Sequence, residues 1–248
     1  MKGLILAAGM GTRLFPLTRT RPKCLVHVAG RPMMEYQLDS LRRAGIHETT
    51  IVIGHMADAV RDHFGSNYRG VNISYVENAD YDKTNNLYSL WLAREEFNEG
   101  ILLIESDLVF DDLLVWDLLM MKAPNLAIVD YFQPTMDGTV IMAEDGVAKQ
   151  MVLKSDQGPE FDYSQALKTV NIYRLCKETL VETIVPKMEE FLDDDRSDMY
   201  YEAVFADLIE SGCMKMAAMN TGNRKWAEID TLDDLRDAER MFAAAAVG

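Results

Sequence analysis

The stretch KGLILAAGMGTRLFPLTRTRPKCLV, which runs from Lys2 to Val26, decides the fold. It opens with an apolar run at residues 4–6, which predicts a short buried strand. Small residues follow at once, and Gly9 and Gly11 among them can adopt backbone conformations that are closed to other residues. Successive N–H groups in such a turn form a nest for phosphate oxygens. The sequence therefore predicts a phosphate-binding loop at the end of a first strand.

Two cationic side chains, Arg13 and Lys23, follow this loop in a region that has no acidic residue before Glu35. Because the chain as a whole carries a formal net charge of -15, this basic island favours a polyanion such as a nucleoside triphosphate. A dinucleotide-binding turn would need a third glycine where Leu14 stands. A P-loop would need a Gly-Lys-Ser or Gly-Lys-Thr sequence, which does not follow.

The pattern LAAGMGTRL-x-PLT-x-x-x-PK-x-LV resembles the signature of the nucleotidyltransferase family that includes sugar-1-phosphate nucleotidylyltransferases and phosphocholine cytidylyltransferases. The resemblance implies an α/β fold, with a Rossmann-like, mixed and mostly parallel sheet flanked by helices, in a single domain over residues 1–248. It implies a reaction that joins an NTP to a phosphorylated acceptor and releases pyrophosphate, with Mg²⁺ as cofactor. On this resemblance the catalytic cations are Arg13 and Lys23, and the nucleotide-binding residues of the loop are Leu6, Ala7, Ala8, Gly9, Gly11 and Thr12.

Composition agrees with a large α/β domain, since 48% of the 248 residues are hydrophobic. A pI near 4.7 argues against a general nucleic-acid binder. The three widely spaced cysteines show no C-x-x-C pattern, which favours reduced thiols in a cytoplasmic protein. The first apolar run is too short for a signal peptide, and no run approaches the length of a membrane span. We therefore expect neither nucleic acid nor a membrane as partner, while a homo-oligomer remains open.

Periodicity downstream of the loop predicts helices at residues 33–41 and 58–64 and strands at residues 49–53 and 71–76. Gly45 is placed to end the first helix. Strands that alternate with helices indicate a βαβ layout and a largely parallel sheet. His47, His55 and His63 recur every eight residues and are interpreted as surface or loop residues, not as metal ligands.

The segment NNLYSLWLA, which starts at Asn85, predicts an amphipathic helix with Thr84 or Asn85 as its cap. This segment resembles the phosphocholine-type cytidylyltransferase branch of the family, whereas the glucose-1-phosphate branch carries a Gly- and Ala-rich segment here. The family recognises the nucleobase in this region. Because an amide offers a donor and an acceptor, Asn85 or Asn86 is a candidate reader of a pyrimidine edge, with a cap alone as the alternative.

Two carboxylates are candidate ligands for Mg²⁺. Asp107 ends the predicted strand at residues 100–107, at the edge of the sheet where ligands of α/β folds bind. It matches the family aspartate that holds the metal, and the alternative role of helix cap is better placed at Asp111. The phrase W-x-E-I-D-T-x-x-D-L resembles the second metal site of the family and assigns Asp230 to it. Thr231 and Asp234 in the same phrase predict a capping box for the last helix.

A predicted β-hairpin, with arms at residues 139–141 and 147–153, resembles the insertion that lies over the acceptor site in this family. Asp137, in the turn before it, either contacts the acceptor or only shapes the turn. Lys154 resembles the lysine that contacts the acceptor phosphate, and Lys168 is a second candidate. Either lysine has a solvated surface charge as its alternative role.

Tyr201, with Tyr200 and Glu202, is a candidate for enclosing an organic head group, because tyrosine faces attract cations. Packing of one tyrosine in the core is the alternative. The sequence as a whole favours a CTP-dependent cytidylyltransferase that acts on a small phosphorylated or phosphonylated alcohol. A sugar-1-phosphate nucleotidylyltransferase that uses UTP or dTTP is the rival within the family, and a catalytically silent nucleotide-binding regulator is the rival outside it.

Overall fold

A computed structural model describes residues 1–243, and the alanine-rich end of the sequence from Ala244 onward lies outside the described residues. In chain order, the strands are β1 Lys2–Ala7, β2 His27–Val28, β3 Arg31–Pro32, β4 Glu48–Ile53, β5 Asn67–Tyr68, β6 Val71–Glu77, β7 Ile101–Glu105, β8 Leu108–Phe110, β9 Leu126–Tyr131, β10 Val140–Glu144, β11 Val147–Val152, β12 Ala166–Leu175, β13 Ala217–Asn220 and β14 Trp226–Glu228.

The helices are α1 Met33–Arg43, α2 Ala57–Phe64, α3 Asn86–Leu92, α4 Leu113–Met120, α5 Lys177–Thr179, α6 Val185–Asp193, α7 Tyr201–Glu210 and α8 Leu232–Ala243. A π-helical turn, Leu180–Ile184, joins α5 to α6, and short 3-10 turns occur at Thr12–Leu14, Leu17–Arg19, Lys23–Leu25, Ala93–Glu96 and Lys154–Asp156. The predicted α/β class, with a mixed sheet and helices between its strands, is confirmed.

The chain divides into two compact units. The first, called the glycine-loop unit, contains Lys2–Lys83, Ile104–Met120 and the described residues from Asn223 onward. The second, called the hairpin unit, contains Met1, Thr84–Leu103 and Met121–Gly222. Each unit is described by itself below.

The glycine-loop unit carries the parallel part of the sheet. Strands β1, β4 and β6 are parallel neighbours, with Ile5 opposite Ile51 and Ile51 opposite Tyr75, and β5 pairs antiparallel with β6. The continuous apolar run of β1 is buried, as expected for a parallel strand that is covered on both faces. Helix α1 follows the predicted periodicity, and Gly45 adopts a positive φ of 80° just after it. This arrangement directs the carboxyl ends of β1, β4 and β6 to one edge of the sheet.

The hairpin unit is built mainly from antiparallel pairs. Strand β9 pairs antiparallel with β12 and parallel with β13. Strands β10 and β11 form the predicted hairpin, and β10 also pairs with β12. The polar stretch at residues 157–165, before β12, is a loop.

Cys24, Cys176 and Cys213 carry free thiols, as their wide spacing in the sequence predicted. Among residues 1–243, no helix combines the length and the apolar character needed to cross a membrane.

Candidate active site

The glycine loop begins where β1 ends and is fixed by its own hydrogen bonds. Gly11 adopts the left-handed conformation, with φ 60° and ψ 38°, and its carbonyl accepts hydrogen bonds from the N–H of Leu14 at 3.0 Å and the hydroxyl of Thr18 at 2.7 Å. The N–H of His55 donates to the carbonyl of Ala8 at 3.0 Å. The loop is therefore held between a 3-10 turn on one side and the end of β4 on the other.

Four charged side chains meet beside this loop. The Nζ atom of Lys23 lies 2.7 Å from Oδ2 of Asp107 and 2.7 Å from Oδ1 of Asp230. Arg13 approaches the same Oδ1 of Asp230 at 2.8 Å, and its side chain is 66% exposed. The four predicted residues are thus brought together within the glycine-loop unit, although 84 and 207 positions separate Lys23 from the two aspartates.

Lys23 is held in its charged form by this arrangement. Burial alone would lower the pKa of its ammonium group, but the neighbouring charges of Asp107 and Asp230 outweigh burial and raise the pKa above the ordinary value. Because two carboxylates meet two cations, the cluster is close to neutral overall. A protonated Lys23 beside the glycine loop is suited to neutralise a phosphoryl group.

Local structure places both aspartates. Asp107 lies in the turn after β7, and its carbonyl accepts from the N–H of Ile229 at 2.9 Å, which ties this turn to the segment that carries Asp230. Oδ2 of Asp234 accepts from the N–H groups of Asp230 and Thr231, and the Thr231 hydroxyl accepts from the N–H of Asp234. The predicted capping box is therefore confirmed, and it fixes Asp230 at the start of α8.

Asp111, not Asp107, caps helix α4, because Oδ1 of Asp111 accepts from the N–H of Leu113 at 2.9 Å. This contact confirms the sequence interpretation of Asp111. The expectation that the strand reaches Asp107 was wrong, since β7 ends at Glu105 and Asp107 lies in the following turn. Because Asp107 lies outside the strand, its side chain does not follow the alternation of the sheet, and its carboxylate contacts Lys23.

In the hairpin unit, the predicted base-reading residues Asn85 and Asn86 stand at the start of α3. Oδ1 of Asn85 accepts from the N–H of Asn86, which confirms Asn85 as the cap of this helix. Oδ1 of Asn86 accepts from the N–H of Tyr201 at 2.9 Å, so this amide links the first turns of α3 and α7. Both side chains have structural roles, with which a contact to a base is compatible.

The predicted acceptor residues of the hairpin unit cluster around the turn before β10. Nζ of Lys154 lies 2.7 Å from Oδ1 of Asp137, and the hydrogen bond from Lys154 is the main reason why the pKa of Asp137 is lowered. Lys168 is only 2% exposed, so it is not the solvated surface charge that the sequence allowed as an alternative. Its Nζ donates to the carbonyl of Thr169 at 2.6 Å.

Tyr201 packs in the core. Its side chain is fully buried, and its ring contacts the rings of Tyr173 and Phe205 at centroid distances of 5.8 and 5.1 Å. The structure thus shows for Tyr201 the core packing that the sequence left open as an alternative for one tyrosine. Tyr200, at 53% exposed, is the tyrosine of the pair with an accessible ring.

Comparisons with known proteins show the family to which the chain belongs. A family model described as Nucleotidyl transferase matches residues 2–244. The chain belongs to the nucleotidyl transferase family. It is 35% identical to the CMP-5'-(3-aminopropyl)phosphonate synthase of Streptomyces rubellomurinus over 98% of this chain, and it spans 39% of that protein's length.

This nucleotidyltransferase is also 27% identical to the choline-phosphate cytidylyltransferase of Streptococcus pneumoniae, over 98% of both chains. A solved structure of the CTP:phosphocholine cytidylyltransferase from Streptococcus pneumoniae superposes with a TM-score of 0.76. That match covers 97% of this chain and 98% of the other at 24% identity, and it shows a shared fold.

Oxygen ligands for Mg²⁺ are available in the charged cluster of this nucleotidyltransferase. Oδ1 of Asp107 is buried and has no hydrogen-bond partner among residues 1–243, so a cation would satisfy it. Within the same described residues, no group of three or more His, Cys, Asp or Glu side chains is arranged to hold a metal. Two carboxylates suffice for Mg²⁺, because this ion is commonly bound by one or two carboxylates together with substrate phosphates and water. Asp107 and Asp230 therefore fit the ion.

Gln37 supports this site and was not predicted from the sequence. It is buried on the apolar face of α1, and its Nε2 donates to the carbonyls of Glu105 and Leu108 at 3.0 and 2.8 Å. Both carbonyls flank the turn that carries Asp107. A polar residue on the apolar face of a predicted helix was the signal that would have found it.

We expect that Gly11 does not tolerate a side chain, whereas Gly9 does. A Cβ atom at Gly11 would lie 2.9 Å from Cβ of Lys23, at a φ that side chains disfavour, whereas a Cβ at Gly9 meets nothing within 4 Å. We predict that Gly11→Ala lowers the free energy of unfolding by about 1–2 kcal/mol and raises the KM for the nucleotide. Gly9→Ala is the matched control and should change stability by less than about 0.5 kcal/mol. Urea unfolding and steady-state kinetics test both variants, and equal effects of the two substitutions would contradict the assignment.

Proposed function

We propose that this nucleotidyltransferase is a CTP-dependent cytidylyltransferase that joins CMP to a small phosphorylated or phosphonylated alcohol and releases pyrophosphate. The acceptors that we propose are phosphocholine, 2-aminoethylphosphonate or 2-hydroxyethylphosphonate. The observation that carries the transfer reaction is the cluster of Arg13, Lys23, Asp107 and Asp230 beside the glycine loop. Two relatives, the CMP-5'-(3-aminopropyl)phosphonate synthase and the choline-phosphate cytidylyltransferase, support CTP as the nucleotide.

The chemistry follows from this cluster. A phosphoryl oxygen of the acceptor attacks the α-phosphorus of CTP in line and forms a new P–O bond. The bond from that phosphorus to the bridging oxygen breaks, and pyrophosphate leaves with the electron pair. The attacking oxygen already carries negative charge, so no general base is required, and catalysis rests on positioning and charge neutralisation.

The glycine loop and the four charged residues beside it each have a part in this step. The N–H groups of the loop and the exposed guanidinium of Arg13 hold the triphosphate. Lys23 neutralises charge at the α-phosphate. Asp107 and Asp230 would hold Mg²⁺, which when bound supplies further charge neutralisation at the same phosphates.

In the hairpin unit we assign acceptor binding to Lys154, Lys168 and Asp137. Lys154 is the exposed lysine of the pair, and its ion pair with Asp137 is open to solvent on both sides, so it can exchange Asp137 for a phosphoryl oxygen. Lys168 is buried next to the same turn and adds positive charge there. Tyr201 would contribute through the packing of α7, and Tyr200 through its exposed ring.

The proposal is tested by a screen of pyrophosphate release. Each of CTP, UTP, dTTP and a purine NTP is combined with phosphocholine, the two phosphonates and glucose 1-phosphate. We expect CTP to exceed UTP by at least about tenfold in kcat/KM, because a site that pairs the cytosine edge leaves a buried polar group unmatched with uracil, at about 1–3 kcal/mol. Equal rates with CTP, UTP and dTTP would remove the cytidylyl assignment. Activity with glucose 1-phosphate alone would support the sugar-1-phosphate rival, and no release from any pair would support a silent regulator.

Asn86→Asp sharpens the test of base recognition. The aspartate keeps an oxygen for the N–H of Tyr201 and replaces the amide donor by a second acceptor. We expect this variant to narrow the preference for CTP over UTP while thermal stability stays close to the wild type. Asn85→Ala removes the cap of α3, and a narrowed preference for CTP in this variant but not in Asn86→Asp would assign the base contact to Asn85.

A further inference from the structure

A distortion interrupts the long strand β12 of the hairpin unit. Thr169 lies opposite Val129 of β9, but Tyr173 lies opposite Ala127, so β12 advances four residues where β9 advances two. Asn171, in the middle of this bulge, adopts a positive φ of 58° and is 8% exposed. The strand therefore holds two extra residues at one buried point.

The residue type at position 171 matters to this conformation. Side chains other than glycine rarely adopt a positive φ, and asparagine is among the few that tolerate it. If β12 ran straight from Tyr173, Asn171 instead of Thr169 would face Val129, and Lys168 would shift by two residues, about 7 Å along the strand. The bulge thus sets the position of Lys168.

A short series of contacts joins Asn171 to the turn before β10. The Thr169 hydroxyl lies 2.9 Å from Oδ1 of Asn171 and donates to the carbonyl of Thr139 at 3.0 Å. The N–H of Thr169 donates to the same carbonyl at 3.1 Å. Thr139 directly follows Asp137 and Gly138, so the bulge and this turn are held together.

The same turn lies against Lys168. A Cβ atom at Gly138 would come within 3.2 Å of Nζ of Lys168, and Gly138 has a φ of 105°. Asp137 pairs with Lys154 on the other side of the turn, and the charge of Lys168 contributes to its lowered pKa after the hydrogen bond from Lys154. Lys154 and Lys168 therefore flank the turn of Asp137 and Gly138, and the surroundings of both ammonium groups depend on the position of this turn.

We propose that Asn171 is a positioning residue for the acceptor: its bulge holds Lys168 and the turn of Asp137 in the arrangement that lets Lys154 receive a phosphoryl or phosphonyl group beside the buried positive charge of Lys168. This inference rests on the proposed function for the identity of the ligand. It adds that acceptor binding depends on a backbone conformation that asparagine and glycine adopt at a lower free-energy cost than alanine.

Five variants separate the possible roles of Asn171. Asn171→Gly keeps access to the positive φ and removes the amide, whereas Asn171→Ala disfavours the conformation itself. Lys168→Met removes the charge that the bulge positions. Asp145→Ala is the matched control, because Asp145 has a φ of 50° at the far tip of the hairpin between β10 and β11. Thr169→Val removes the hydroxyl contact to Thr139 and serves if Asn171→Ala does not fold.

The first readout is the binding of methylphosphonate to the whole protein without nucleotide, followed by ³¹P NMR and amide chemical shifts. We expect Asn171→Ala and Lys168→Met to bind at least about tenfold more weakly than the wild type, and Asn171→Gly to stay within about threefold. Thr169→Val should lose about fivefold, as for one buried hydrogen bond. Asp145→Ala should match the wild type. No binding to the wild type, full binding by Asn171→Ala or by Thr169→Val, or an equal loss in Asp145→Ala would overturn the inference.

The second readout separates this inference from the proposed function. In CMP transfer, Asn171→Ala should raise the KM for the acceptor at least about tenfold and leave the KM for CTP unchanged, and Asn171→Gly should restore the acceptor KM. A purely structural role would move both KM values. If the methylphosphonate pattern holds while the wild type transfers CMP to no acceptor, the proposed function fails and the anion site governed by Asn171 stands.

Discussion

Asp107→Asn is expected to lower kcat/KM for CMP transfer by at least about 10³-fold, because charge stabilisation at a transferring phosphoryl group is a large part of catalysis. The substitution keeps the shape of the side chain and removes its charge. It weakens the contact to Lys23 at 2.7 Å and replaces one of the two carboxylate oxygens by an amide nitrogen, which leaves a neutral side chain with a single oxygen for a cation. The turn should survive, since the carbonyl of Asp107, not its side chain, accepts from Ile229.

Asp111→Asn is the matched control for this variant. Asp111 lies four residues away and caps α4 through one side-chain oxygen, a role that asparagine fills equally well. We expect wild-type turnover and stability from Asp111→Asn. Circular dichroism and urea unfolding check the fold of both variants, and binding of Mn²⁺ reports on the metal site without turnover. Full activity of Asp107→Asn at ordinary Mg²⁺ levels would remove Asp107 from the site.

Lys23→Met is expected to lower kcat by about 10²–10³-fold with a much smaller change in the KM for CTP, because charge redistribution in the transition state strengthens the contact that the ammonium makes. Methionine keeps much of the apolar stem that packs against Gly11. A raised KM with an unchanged kcat would show that Lys23 only binds the nucleotide.

The same variant should bind Mn²⁺ more tightly than the wild type in the absence of nucleotide, by about tenfold or more. The ammonium of Lys23 bridges Asp107 and Asp230, so it competes with a divalent cation for both carboxylates. Lys83→Met is the control, because Lys83 makes an exposed ion pair with Asp80, which is not one of the four residues of the charged cluster. Equal or weaker Mn²⁺ affinity in Lys23→Met would show that Lys23 does not compete with the metal.

Features that depend on neighbouring residues were predictable from the sequence. The glycine loop, the cap at Asn85, the capping box of Thr231 and Asp234 and the β10–β11 hairpin follow from short-range hydrogen bonds and turn chemistry. Each such feature is encoded within a few positions, and the structure reproduces it. The family resemblance added the roles of residues that local rules leave open.

The sequence by itself thus determined the βαβ layout and the glycine loop, because strand periodicity, glycine spacing and helix caps are local properties, whereas the family resemblance pointed to the four charged residues. Only the tertiary structure decided that Lys23 bridges Asp107 and Asp230, since chain folding brings together residues 84 and 207 positions apart. It likewise decided that Lys168 is buried while Lys154 is exposed, although the sequence places each of them at one end of a predicted strand. Burial depends on which elements pack over a position, and the charge of a lysine carries no signal of what covers it.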